Sequence, residues 1–177
     1  REVSRAIGSD KRIGSRFLDS GPGFGGSCFK KDILNLVYLA EHFGLPEVAD
    51  FWEGVVRLNK WHQSRIAQII TKKLFGTLSD KKIAILGFAF KANTNDTRES
   101  SAIQICNDLL EEGANLLIHD PKVTKSQIKS DLNRENDADL DLIISRWEKS
   151  EKIEETFIDA DAAVILTEWQ QYQNIDW

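Results

Sequence analysis

The apolar residues of this chain change their spacing near residue 80. Before it they recur at helical intervals, and after it they gather in short β-branched clusters between turn signals. Ser4 to Phe17 reads as a helix broken at Gly8 and Gly14. Cys28 to Phe43 reads as a second helix, closed by Gly44 as its C-terminal cap. Leu45-Pro46 restarts the chain; Pro46 suits a first helical turn, and Glu47 suits the same electropositive end. From Val48 through Phe51, Trp52, Val55, Val56, Leu58, Ile66, Ile69 and Ile70 to Leu74 the spacing stays helical. A helix unbroken to Phe75 would be about 45 Å long at ~1.5 Å per residue. A helix of that length needs support from another domain or chain, and Trp52 and Trp61 fit as packing residues along it.

Gly76 to Asp80 is a linker signal. Lys82-Ile83-Ala84-Ile85-Leu86 then reads as a buried parallel strand, and Gly87 to Arg98 as a loop. Asp96-Thr97-Arg98-Glu99 has capping-box character ahead of a helix from Ser100 to Glu112, with Gly113 behind it. Asn115 to Asp120 is the next strand, stopped by Pro121, which completes a βαβ unit with a right-handed crossover. Further on, the pattern predicts a weak helix at Lys125–Asp131 and an acidic irregular loop at Asn133–Asp141. A strand follows at Leu142-Ile143-Ile144, a helix at Ile153–Ile158 and a strand at Asp161–Thr167. A doubly wound sheet has five or six strands; this one offers three or four, so it is expected to be incomplete.

The 177 residues carry 41% hydrophobic and 29% charged residues and a net charge of −5, which fits a folded soluble chain and argues against a general nucleic-acid binder. There is no apolar run of about eighteen residues that could span a membrane. The two cysteines, Cys28 and Cys106, fit free thiols in a reducing cytoplasm better than a disulfide scaffold. His42, His62 and His119 lack metal-ligand spacing, so no metal site is expected. The chain begins at Arg1 and contains no methionine, which is expected of part of a longer protein.

One stretch carries candidate chemistry. Gly21-Pro22-Gly23-Phe24-Gly25-Gly26-Ser27-Cys28-Phe29-Lys30-Lys31-Asp32 places a cysteine where a glycine-rich loop becomes a helix. Unpaired N–H groups at a helix start, together with neighbouring lysines, favour a thiolate, the nucleophilic form. Asp32, one turn on, shares the face of Cys28 and could orient a water or a proton. Against this, a lone cysteine is commonly buried and inert, so the residues alone leave both readings open. The spacing Gly-x-Gly-x-x-Gly occurs at Gly21 to Gly26, but no such loop directly follows a predicted strand. Gly87-Phe88-Ala89-Phe90-Lys91 stands where such a loop would, directly after a strand; it is equally readable as a phosphate-facing loop or as an ordinary turn with both phenylalanines in the core.

Three segments together resemble the UDP-glucose 6-dehydrogenase family: Gly23 to Asp32, Gly87 to Lys91 followed by Asn95-Asp96-Thr97-Arg98-Glu99-Ser100, and Ser4 to Gly8 with Arg12-Ile13-Gly14. The resemblance implies an α/β chain in two parts. Residues 1–76 would be a central helical dimerisation region bearing the catalytic-cysteine loop and a long connecting helix; residues 81–177 would be a UDP-binding, Rossmann-like parallel-sheet domain, incomplete at its C-terminal side. It implies NAD as cofactor and UDP-glucose as substrate, with Cys28 and Asp32 catalytic. Arg12, reaching from a neighbouring subunit, Ser20, Gly21, Pro22, Gly23, Phe24, Gly25, Phe90 and Lys91 would contact the sugar nucleotide. Cys28, Phe29, Lys30, Lys31 and Arg98 would lie at the cofactor. Two departures stand out: Asp19 is acidic beside an anionic substrate, and Lys30 replaces a residue that is commonly proline or neutral in the family.

The reaction implied is a double oxidation of the sugar C6 alcohol through a Cys28 thiohemiacetal and thioester. The resemblance finds no counterpart here of the family's N-terminal nucleotide domain with its glycine-rich NAD loop, so the isolated chain is expected to be inactive. The rival reading, from a different class, is a non-catalytic module that forms a homo-oligomer through the long helix and holds a UDP-sugar without turnover.

Overall fold

The computed structural model describes residues 2–15, 18–132 and 146–176. Its helical part is α1 (Glu2–Gly8), α2 (Phe29–His42) and α3 (Pro46–Lys73); a parallel sheet with its helices follows. The first helix stops at Gly8 rather than near Phe17, because the chain folds back on itself: Ser9 Oγ donates to the Ala6 carbonyl, and the amides of Ile13 and Gly14 donate to Asp10. α2 ends as its glycine predicted. Gly44 has φ +68°, its N–H donates to Glu41, and the Leu45 N–H donates to Ala40, so the last carbonyls are satisfied.

α3 is 28 residues long, about 42 Å at ~1.5 Å per residue. It is apolar on two sides. One stripe, through Ala49, Val56, Gln63, Ala67, Ile70 and Leu74, is buried or half-buried against α2 and the sheet domain. The other, through Phe51, Leu58, Trp61 and Ile69, is 41–65% exposed. The fully buried positions of the inward stripe are thus small or amide side chains, Ala49, Gln63 and Ala67, while several of the largest apolar residues point away from it. Trp52 is half-buried and Trp61 is exposed, so within one chain the packing expectation fails for Trp61.

The sheet is β1 (Lys82–Leu86), β2 (Asn115–His119), β3 (Trp147–Ser150) and β4 (Ala162–Ile165), all parallel in the order β3-β2-β1-β4. Its helices are α4 (Ser101–Glu111), α5 (Lys125–Leu132) and the single turn α6 (Ile153–Thr156); a 3-10 helix, Gln170–Asn174, follows β4. β1 is central, and four of its five residues are buried, as a continuous apolar run requires. The core lies between the sheet, α4, α5 and the C-terminal half of α3, with Phe88, Ile105, Leu109 and Ile128 at 0% exposure.

Two readings are corrected here. The cap of α4 is Ser100, whose Oγ accepts from the Ala102 N–H, and not the Asp96–Glu99 box; Asp96 instead folds its own loop by accepting from the Arg98 N–H. β3 falls at Trp147–Ser150, a stretch with too many polar residues to read as a strand. The strand expected at Leu142-Ile143-Ile144 and the loop expected at Asn133–Asp141 lie outside the described residues.

Candidate active site

The glycine-rich loop ahead of α2 is wedged between α3 and the turn before α4, and glycine is needed where it is tightest. At Gly23 (φ +136°) a Cβ would lie 2.8 Å from Asn59 Oδ1 and 3.0 Å from Gln63 Cγ. At Gly25 a Cβ would overlap the Glu99 carbonyl oxygen and lie 3.0 Å from its carbon. At Gly26 (φ +85°) it would lie 2.9 Å from the Phe90 ring. The Gly26 N–H donates to the Arg98 carbonyl at 2.9 Å. Two segments some seventy residues apart in sequence are thus interlocked, and the contact is made by backbone and a ring face.

Polar groups of α3 fix the other side of the loop. The Asn59 amide accepts from the Phe24 N–H at 2.9 Å and donates to the Phe24 carbonyl at 3.0 Å, as a neighbouring strand would. Gln63, buried one turn later, donates to Ser101 Oγ at 3.0 Å, and His62 Nε2 lies 3.1 Å from the Gly21 carbonyl oxygen. These residues escaped the sequence reading. The signal available was two amides at positions i and i+4 along the inward stripe of α3, where apolar side chains are the rule.

Cys28 is the cap residue of α2 and is exposed, with no side-chain bond to the helix start. Its sulfur lies 3.7 Å from Ser27 Oγ. The Asp32 N–H donates to the Cys28 carbonyl at 2.9 Å, so Asp32 stands one turn along on the same face and is exposed. The Arg98 guanidinium interacts electrostatically with the thiol. Its main partner is Asp96, at 2.7 Å and 3.0 Å; this pairing raises Arg98 above its usual range and holds the Asp96 carboxyl below its own. Lys30 has an acidic partner of its own. Its ammonium pairs with Glu99 at 2.8 Å, linking α2 to the turn before α4. Lys31 is exposed.

Phe24 meets Phe29 edge to face, with ring centres 4.7 Å apart. Phe90 is half-buried over Gly26, and the Lys91 ammonium lies 5.3 Å from the Phe90 ring centre. Phe88 is fully buried, so the two phenylalanines of the loop divide between core and site. Ser20, Gly21 and Pro22 lead into the glycine loop. Arg12 sits on the exposed turn after α1 with its guanidinium on Asp10 at 2.7 Å. The fold therefore brings Gly23 to Lys30 together with Phe90 and Arg98, and leaves Arg12 engaged on its own turn. Behind the loop, Leu34, Val56, Lys60, Gln63, Ile103 and Gln104 help line a cleft of about 470 Å³ between α2, α3 and α4.

The arrangement combines an exposed thiol at a helix start with a cation-bearing loop at the carboxyl ends of parallel strands, where doubly wound sheets take nucleotides. The sequence agrees with it. The chain belongs to the UDP-glucose/GDP-mannose dehydrogenase family, matching its central domain over residues 1–61 and its UDP binding domain over residues 84–177. It is 50% identical over 177 residues to a UDP-glucose 6-dehydrogenase of Caenorhabditis elegans, covering 99% of this chain and 36% of that protein. UDP-glucose 6-dehydrogenase 2 of Arabidopsis thaliana is 45% identical, with 99% and 38% covered. The structure of a UDP-glucose dehydrogenase from Pyrobaculum islandicum superposes with a TM-score of 0.81 at 31% identity, over 99% of this chain and 37% of that one.

Proposed function

We propose that this chain supplies the nucleophile and the UDP-binding part of an NAD-dependent UDP-glucose 6-dehydrogenase. The observation that carries the reading is the docking of the Cys28 loop onto the Phe90–Ser100 turn, which places a free exposed thiol beside the family's UDP binding domain. Lys91 and Phe90 contact the sugar nucleotide, as an ammonium suits a diphosphate and a half-buried ring suits a base or sugar face. Gly21 to Gly25 lie along it. Both cysteines are free, in keeping with work in a reducing compartment.

The donor set suits a dinucleotide in part. The exposed Lys31 ammonium can meet a pyrophosphate near Cys28, and Arg98 and Lys30 can do so by exchanging their exposed partners Asp96 and Glu99. NAD, when bound, would accept a hydride from the substrate carbon at each of two oxidations, alcohol to aldehyde and thiohemiacetal to thioester. The work of this chain is then to present the Cys28 thiolate to the aldehyde carbon, to hold it there as the bond forms, and to direct water through Asp32 when the acyl group is released. The chain spans little more than a third of its relatives' length, and its one Gly-x-Gly-x-x-Gly spacing, Gly21 to Gly26, follows no strand, so in this reading the piece alone binds without turning over.

Association through α3 belongs to the same reading. Its outward stripe of Phe51, Leu58, Trp61 and Ile69 is an apolar surface suited to a second copy. Light scattering should give a dimer or larger, and Leu58→Glu a monomer.

The test of function is calorimetric titration of the chain with UDP and UDP-glucose. Saturable binding weakened by Lys91→Ala is expected, and no binding at millimolar nucleotide overturns the reading. In an active dehydrogenase carrying this segment, Cys28→Ser should stop oxidation at the aldehyde level; full conversion to the acid would exclude Cys28 as nucleophile.

A further inference from the structure

We propose that Asp120 is a positioning residue whose buried carboxylate, with Thr167, sets the conformation of the Gly87–Lys91 loop and hence the presentation of Phe90 and Lys91 to a nucleotide. The proposal rests on the reading of that loop as nucleotide-contacting. Asp120 follows β2 directly, at the carboxyl end of the sheet. In a doubly wound dinucleotide site an acidic residue near this place commonly takes the ribose hydroxyls. Here that role is closed off. Asp120 is 1% exposed, and its carboxylate already accepts five N–H bonds. Oδ2 takes the amides of Phe88 at 2.8 Å and Ala89 at 3.0 Å and the Trp169 indole at 3.3 Å; Oδ1 takes the amides of Lys122 and Val123, both at 2.9 Å. A carboxylate offers about four lone-pair sites, so none remains for a ligand hydroxyl.

The loop it holds makes few ladder bonds of its own. Beyond Gly87, whose N–H donates to the His119 carbonyl, the two peptide groups that follow are satisfied largely by side chains. Asp120 takes the N–H groups of Phe88 and Ala89. Ser100 Oγ donates to the Phe88 carbonyl at 2.7 Å, and Thr167 Oγ1 donates to the Ala89 carbonyl at 2.6 Å. Side chains from the end of β2, the start of α4 and the segment after β4 thus converge on two residues. The next residue is Phe90, whose ring lies against Gly26 two positions before Cys28. The carboxylate therefore fixes a loop that touches the proposed nucleotide on one side and supports the thiol loop on the other.

The test uses the full chain, UDP as the calorimetric probe, and hydrogen exchange of residues 87–91 followed by mass spectrometry, well below the melting temperature. Asp120→Asn keeps the shape but replaces one acceptor oxygen with a group that cannot accept. It should weaken UDP binding at least ~tenfold and speed exchange at Phe88 and Ala89, since a buried donor is left unpaired. Thr167→Val should weaken UDP binding about threefold or more, and Thr167→Ser should restore it to within about twofold, because only the hydroxyl matters. A folded Asp120→Asn protein that binds UDP as the wild type does overturns the proposal. So does weakened binding with unchanged exchange, which would make Asp120 a direct ligand contact. If Asp120→Asn does not fold, the Thr167 pair decides: equal affinities for Val and Ser overturn the proposal. If the wild type binds no UDP, the nucleotide reading falls, while the exchange measurement still decides whether the carboxylate holds the loop.

Discussion

Gly25→Ala tests the interlock at its tightest point. The atom a new methyl would meet is the Glu99 carbonyl oxygen, with the Glu99 carbonyl carbon at 3.0 Å and Phe90 Cβ at 3.3 Å. Backbone cannot swing aside as a side-chain end can, so the loop and the turn before α4 must separate. Overpacking of this kind costs about 1–3 kcal/mol. Separation also stretches the Gly26 to Arg98 hydrogen bond, worth about 1 kcal/mol. Against this, alanine restricts the unfolded chain and returns about 0.5 kcal/mol. The net expectation is a loss of about 2–3 kcal/mol, or roughly 5–10 °C in melting temperature for a chain of this size. Gly21→Ala is the control: nothing lies within 4 Å of its added methyl, and its melting temperature should stay within about 2 °C of wild type. The assay is thermal unfolding of the three proteins side by side. Equal melting temperatures for Gly25→Ala and Gly21→Ala would refute the interlock.

Asn59→Ala removes both bonds to the Phe24 backbone and should cost about 1–2 kcal/mol, read as a lower denaturant midpoint at unchanged slope; an unchanged midpoint would mean that water replaces the amide without loss. Cys28 is exposed and Cys106 fully buried, with its thiol pushed up by desolvation, so alkylation of the folded chain should label Cys28 first and Cys106 only on unfolding. Equal labelling rates in the native protein would count against the described burial. His119 is held below its ordinary value of 6.5, chiefly by burial, so the unfolded chain takes up this proton first. Stability should be flat in this contribution above pH 6.5 and should decline as pH falls below it, with His119→Gln flattening the slope; parallel profiles for the two proteins would assign the decline to other groups.

Local rules read much of this fold correctly. Gly44, Gly113, Pro46 and Pro121 marked helix and strand ends because each acts through its own φ or its missing N–H. β1 was legible because both of its faces are covered. Less legible was anything decided by distant residues. The inward stripe of α3 is set by how closely α2 and the glycine loop approach, so Ala49, Gln63 and Ala67 are buried while Phe51 and Leu58 are not. Ser100 became the cap of α4 because its hydroxyl also reaches the Phe88 carbonyl. In the site, the cysteine and its glycines announced themselves by composition, and the resemblance joined them to the Phe90–Lys91 loop. Asn59, Gln63, Asp120 and Thr167 did not, since each has partners, peptide groups or side chains, far away in sequence.

The length of α3 has a consequence for how the chain comes apart. Its N-terminal half lies along α2, and its C-terminal half gives Ile66, Ala67, Ile70 and Leu74 to the core beside the sheet. A helix shared in this way makes the two halves a single cooperative unit: fraying its C-terminal end strips apolar cover from the sheet core, and the loss of either contact removes what the rod leans on. Native-state exchange should therefore show the amides near Asn59 to Gln63, at the middle of the rod, opening with the same free energy as those of β1. A proline introduced at Lys60 would split one unfolding transition into two.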